Sequence, residues 1–163
     1  DISADGTVYA MFRNSYNGDR DMYLASRADD LGWAAASLLG QGHWKLDWCP
    51  MDGGALSTDD QGRPITTWRR NGTIYKAYEG GPEEKVGPGS QPWIYAKNGV
   101  YGVYLVQRPG PLMMFKDALP PKKLAAMADD PMVTGSYTGD GPVVAVWTTP
   151  KGEIMSQVLS SDE

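Results

Sequence analysis

A turn ending in glycine stands at the head of a strand-like run four times in this chain, at Asp5-Gly6, Gln61-Gly62, Asn98-Gly99 and Asp140-Gly141. The glycines lie 56, 37 and 42 residues apart. Each is followed by β-branched and aromatic residues, a second turn and a partner run: Thr7–Arg13 with Arg20–Ser26, Pro64–Arg70 with Thr73–Glu79, Val100–Gln107 with Leu112–Lys116, and Pro142–Thr149 with Glu153–Leu159. Short turns pair neighbouring runs into antiparallel hairpins, and Asn71-Gly72 is the strongest such signal. A chain written this way folds as all-β. Its repeat is close to the roughly 40–50 residues of a propeller blade, four antiparallel strands with a small inner strand and a polar outer one.

The blade units fall at about 1–39, 52–87, 91–126 and 131–160, and the long first interval is accounted for by an insertion, Gly40–Met51. The first unit lacks its inner strand. That makes about three and a half blades in one partial β-propeller domain spanning 1–163. Closed propellers typically have about four to eight blades, so the chain is expected to be a fragment of a larger ring, a protomer that closes by association with a second chain or copy, or an unusually small ring. The fragment reading leads. Only Pro120–Ala128 has helix-forming character, and its lysines and prolines equally suit an outer edge strand.

Composition narrows the function classes. Twenty glycines, twelve prolines and fifteen Trp and Tyr residues among 163 favour short strands and tight turns. A net charge of −5 with no basic stripe argues against nucleic acid as partner. No apolar run reaches membrane-spanning length. The one cysteine, Cys49, makes no internal disulfide and reads as a small buried hydrophobe. The chain opens on Asp1 without initiator Met or leader, which suggests a start cut by design or by processing.

The end of the insertion and the start of the second unit, Trp44–Gly54 (WKLDWCPMDGG), crowd two tryptophans, the cysteine, two aspartates and a glycine pair behind His43, the only histidine. A loop this dense within a regular hairpin array is a functional candidate. His43 has no second His or Cys at ligand spacing, so no metal is proposed. No cofactor motif is present either: there is no Gly-rich phosphate loop and no Ser–His–Asp signature.

Strand Phe12-Arg13-Asn14, then Arg20-Asp21-Met22-Tyr23, Ser26, Gly32-Trp33, Trp44-Lys45 and Cys49-Pro50-Met51-Asp52-Gly53-Gly54 resemble the sialidase-like (BNR, Asp-box) propellers, and most of all their bacterial exo-α-sialidase-like members. The resemblance covers about residues 5–70. Ser26-Arg27-Ala28-Asp29-Asp30-Leu31-Gly32-Trp33 is similar to a degenerate Asp-box, which in that family is structural, so Asp29 and Asp30 are expected to form a turn. The resemblance implies a six-bladed fold, a glycoside hydrolase or a fragment of one, and a secreted or periplasmic location. Sialidases use an arginine triad, an Asp acid/base and a Tyr–Glu nucleophile pair. No Tyr–Glu pair here has a recognisable context, and Tyr78-Glu79, being adjacent, point to opposite faces of a strand.

In a propeller the loops leaving the second strand and those entering the next inner strand share one face. Arg13, Arg69 and Arg108 each end a second strand and, with Asn14 and Arg20, are expected to clamp a sugar carboxylate; each also reads as a solvated loop-end residue. Asp52 is the candidate acid/base beside aromatic surface, and Asp21 its candidate partner across a cleft. The plainer readings are a turn cap for Asp52 and an ion-pair partner of Arg20 for Asp21. Trp44 and Trp48 suit a sugar-stacking platform, or a plug between blades. Three functions remain: a sialidase-like hydrolase acting on an acidic or neutral glycan, a non-catalytic glycan-binding propeller, and a protein-interaction propeller.

Overall fold

A computed structural model describes residues 1–28 and 32–159; Asp29, Asp30 and Leu31 of the Asp-box-like stretch lie outside the described residues. The described chain is all-β. Its strands are β1 (Val8–Arg13), β2 (Met22–Arg27), β3 (Ser37–Leu38), β4 (Gly54–Thr58), β5 (Pro64–Arg70), β6 (Thr73–Tyr78), β7 (Glu84–Pro88), β8 (Ser90–Tyr95), β9 (Tyr101–Leu105), β10 (Gly110–Lys116), β11 (Lys122–Thr134), β12 (Val143–Thr148) and β13 (Ile154–Leu159). They form an antiparallel sheet β1-β2-β3, a second β4-β5-β6-β7, and a six-stranded sheet running β8 to β13 in order. Every neighbour in these sheets is also a neighbour in sequence, as expected of a chain built from hairpins.

The turn chemistry explains the register. Asn71 and Gly72 adopt φ of 47° and 73°, the positive values that a two-residue hairpin turn needs to match strand twist. They join β5 to β6 with Arg70 opposite Thr73. Within the helix-capable stretch Pro120–Ala128, residues 122–128 are strand: they open β11, which is 13 residues long. A bulge between Asp129 and Met132 divides β11, so its first part pairs with β10 and its second with β12. One strand thereby bends the six-stranded sheet back on itself. The third strand of the first sheet is short, because only Ser37 and Leu38 pair with β2.

Three apolar clusters hold the sheets face to face. Met22, Leu24 and Leu39 of the first sheet pack on Trp68 and Ala77 of the second. Ala55, Ile65 and Ile74 of the second meet Ile94, Ala96, Tyr104 and Phe115 of the third. Tyr95, Val103, Leu105 and Leu112 meet Val133, Ala145 and Trp147 across the fold of the third sheet. This layering explains the burial patterns. Most of β5 and all of β9 are buried without alternation, since each has neighbours on both faces, whereas β12 alternates. Its outward face, with Val144, Val146 and their partners Val158 and Ser156 on β13, carries no sheet among the described residues.

The ends of β4 and β8 are tied side to side by hydrogen bonds. Ser57 Oγ accepts from the Ala96 amide at 3.0 Å, and the Asp59 carbonyl accepts from Lys97 Nζ at 2.7 Å. Thr58 donates to the Asp1 carboxylate, and the Tyr137 hydroxyl donates to the Ile2 carbonyl at 3.3 Å. The turns at residues 3–6, 59–62, 97–99 and 136–141 therefore gather on one side of the molecule. The ends of β1 and β5 and the long loop lie on the other.

Candidate functional site

The long loop is pinned before it reaches the site. Arg70, stacked over Tyr75 at 4.2 Å, donates to both carboxylate oxygens of Glu83 and to the Gly42 carbonyl at 3.3 Å, and Glu83 Oε2 also accepts the Gln41 amide at 3.0 Å. Glu83 is held below the usual carboxylate range, chiefly by its bond from Arg70. A side chain at Gly42 would run into the Arg70 guanidinium. The glycines of this loop are thus spacing residues for a docked loop.

Asp21 anchors the next turn. It is 6% exposed; Oδ1 accepts from the Trp44 amide at 3.0 Å, and Oδ2 lies 2.6 Å from His43 Nδ1. That bond raises the pKa of His43 above its ordinary value. Arg20 bonds elsewhere, Nε donating to the Leu46 carbonyl at 3.3 Å. The expected Arg20–Asp21 ion pair is therefore absent among the described residues. Asp19, Asp21 and His43 bring ligand-type atoms within 4.8 Å of one another, a grouping that spacing in the sequence did not reveal. They are engaged with each other and with Lys45, whose Nζ is 3.1 Å from Asp19.

Arg13 is the hub. Nη1 donates to the Arg20 carbonyl at 2.7 Å, and Nη2 donates to the carbonyls of Asp52 and Arg69 at 3.3 and 3.2 Å. Its guanidinium lies 5.2 Å from the centre of the Trp44 ring. Burial lowers the Arg13 pKa, partly offset by Asp52 and Asp21. Arg69 donates to Asp52 Oδ2 at 2.9 Å, and its Nε is buried without a partner among the described residues. Neither Arg13 nor Arg20 has a carboxylate bonded to it among the described residues.

The fold therefore brings together Arg13, Asn14, Arg20 and Asp52, which line one cleft of about 360 Å³ with Cys49 and Met51, and sets Arg69 behind Asp52. Cys49 is exposed rather than buried. Asp21 faces a different, smaller cavity with His43, Tyr16 and Tyr23. It is not across the cleft from Asp52, because its oxygens are committed to the 43–44 turn. Arg108 also stands apart from Arg13 and Arg69: it pairs with Asp129 and Asp130 at 2.9 and 3.0 Å. Trp44 is 8% exposed beneath Arg13 and takes the plugging role, whereas Trp48 is 57% exposed.

A second cavity, about 270 Å³, shares Met51–Gly54 with the first and is completed by Gln91, Pro92, Trp93, Asp130, Pro131 and Met132. None of these six residues is a candidate from sequence alone. The signal available there was the repeated polar residue before proline, Gln91-Pro92 and Asp130-Pro131, at the start of two successive inner runs.

No family model and no curated protein matches the chain. Among solved structures it is similar to a xylan beta-1,4-xylosidase from Bacillus halodurans C-125, at 17% identity and a TM-score of 0.49. The alignment covers 97% of this chain and 40% of that one, so the chain spans about two-fifths of that enzyme's length.

Proposed function

We propose that this chain is part of a carbohydrate-active β-propeller that holds a glycan at the cleft between the end of β1 and the Met51–Gly54 segment. The observation that carries the reading is the pair Arg13 and Arg20, two guanidinium groups that, among the described residues, bond only to backbone carbonyls at the rim of a cleft lined by one carboxylate, Asp52. An anionic sugar entering there meets positive charge that no carboxylate among the described residues has neutralised by direct bonding. Asp52 is the acid/base candidate of a sialidase-like glycoside hydrolase, and Asp21 supports the loop that shapes the cleft. The repeated hairpin units are blades. Further blades from a second copy or another chain complete the ring, and a secreted or periplasmic location accompanies this reading.

A non-catalytic glycan-binding propeller is the second reading. It is favoured by the bond that ties Asp52 to Arg69 and by the lack of a second carboxylate lining the same cleft among the described residues. Glycosidases generally place two carboxyl groups about 5–9.5 Å apart. The test is a panel of fluorogenic glycosides that includes a sialoside, with Asp52→Asn and Asp21→Asn beside the parent. Turnover lost in Asp52→Asn supports the hydrolase. Binding of the acidic glycoside without turnover, lost in Arg13→Gln, supports the binding module. Neither turnover nor binding of any acidic glycoside sinks the glycan reading. Light scattering on a sizing column reports whether the ring closes by assembly, since a monomer of 17.7 kDa means that it does not.

A further inference from the structure

The cavity beside the arginine cleft differs from it in chemistry. It lies where three successive inner segments meet: Asp52 stands just before β4, Gln91 at the bulged start of β8, and Asp130 at the bulge of β11. Gln91 and Asp130 both sit at positive φ, 49° and 45°, and each is followed by a buried proline. Two non-glycine residues held in the left-handed region at matching bulges is a costly arrangement, and such strain concentrates at ligand sites. Gln91 Nε2 donates to Asp130 Oδ1 at 2.8 Å, which joins the two bulges across the cavity wall.

Both carboxylates in its wall are already bonded to guanidinium groups: Asp52 to Arg69, and Asp130 to Arg108, which Asp129 shares. Among the described residues an anionic ligand therefore finds no guanidinium there that is free of a carboxylate, in contrast to the cleft at Arg13 and Arg20. The rest of the lining is apolar, with Trp93 38% exposed and Met51 and Met132 open to solvent. An aromatic face with carboxylate and amide groups at its edge suits an uncharged ring that has an apolar face and a rim of hydroxyls. At about 270 Å³ the space falls just below the roughly 300–1,000 Å³ of pockets for drug-sized ligands, enough for one ring rather than several.

We propose that this cavity is a subsite for a single neutral pyranose unit, with Trp93 as stacking platform and with Asp52, Gln91 and Asp130 accepting from or donating to its hydroxyls. The proposal rests on the glycan reading above and deepens it: the glycan would place an anionic unit at Arg13 and Arg20 and a neutral neighbour here, with the Met51–Gly54 segment between them. The aromatic platform is then Trp93, on the inner strand, rather than the buried Trp44.

Ligand-observed saturation-transfer NMR on the intact chain tests it, with methyl glycosides of neutral hexoses and pentoses as one set of probes and methyl glycosides of a uronic acid and a sialic acid as the other. The expected result is transfer to at least one neutral glycoside. That binding weakens about three- to tenfold in Trp93→Ala, the scale of one aromatic contact, recovers in Trp93→Phe and is unaffected in Arg13→Gln. Asp130→Asn, at an exposed position, carries the same test if Trp93→Ala does not fold. No transfer to any neutral glycoside, or transfer equal in the parent, Trp93→Ala and Asp130→Asn, overturns the subsite. Acidic glycosides that bind in an Arg13-dependent way while no neutral one does would overturn it and leave the glycan reading standing. Failure of the acidic set alone would leave the neutral subsite standing and overturn the anionic site at Arg13 and Arg20.

Discussion

Arg69 and Asp52 are bound to each other at the point where the two cavities meet: Nη1 of Arg69 donates to Oδ2 of Asp52 at 2.9 Å, with the carboxylate side chain 10% exposed and the guanidinium 27%. Arg13 closes the arrangement from the other side through the backbone carbonyls of both residues. The Met51–Gly54 segment is thus held by ionic and backbone bonds together, and whatever either cavity binds is positioned against it.

Removing the charge of Asp52 leaves Arg69 facing a neutral amide at a mostly enclosed site. Asp52→Asn is expected to cost about 1–3 kcal/mol, the range for a charged hydrogen bond lost from such a position, read as a lower urea midpoint with an unchanged m-value. In Asp52→Asn with Arg69→Gln the loss should be smaller than the sum of the two single losses. Strict additivity would show that the pair contributes no coupling.

Gly102 lies on β9 directly opposite Phe115 on β10. A methyl group at residue 102 would fall inside contact distance of the Phe115 ring, which is 2% exposed and packed between two sheets. Gly102→Ala is therefore expected to destabilise by about 1–3 kcal/mol or somewhat more, as over-packing does, even though alanine suits an ordinary strand better than glycine. A thermal melt at or above the parent value would show that the ring can move aside.

Two ion pairs that hold the long loop in place give stability a pH dependence at each end. The His43 pKa is raised by Asp21 above its ordinary 6.5, so this contribution is full below about 6.5 and is lost as pH rises through the higher folded value. Glu83, bonded to Arg70, is lowered below 4.5. Its contribution is full above 4.5 and is lost as pH falls through the lower folded value. Denaturation midpoints measured across pH should lose the upper limb in His43→Gln and the lower limb in Glu83→Gln. A parent profile that is flat near neutrality would rule out the His43 contribution.

The hairpin grammar carried most of the secondary structure. Asn71-Gly72 specifies a turn by its φ preference, and the β-branched and aromatic runs around it have a period that only strands satisfy. Such information is local, and the fold agrees with it. Where two local preferences balanced, as in Pro120–Ala128, the decision passed to pairing partners: β10 and β12 offer edges on either side, and β11 satisfies both by bulging at Asp129–Met132.

The site was legible only in part, and for a related reason. Arg13, Arg20 and Asp52 are recognisable as polar residues at strand ends, and they do share a cleft. Nothing in the spacing reveals that Asp21 turns back to His43 and Trp44, that Arg108 is taken by Asp129 and Asp130, or that Trp93 rather than Trp44 is open. Side-chain direction at a strand end depends on which loop docks over it, and that docking is made by residues tens of positions away, such as Arg70 and Glu83 on the Gln41–Gly42 turn. By itself the sequence determined an all-β chain of repeated hairpins, because turn propensity and side-chain alternation act within a few residues. Only the tertiary structure decided which charges remain unpaired and which aromatic faces solvent, because those outcomes depend on contacts between sheets that no short-range pattern encodes.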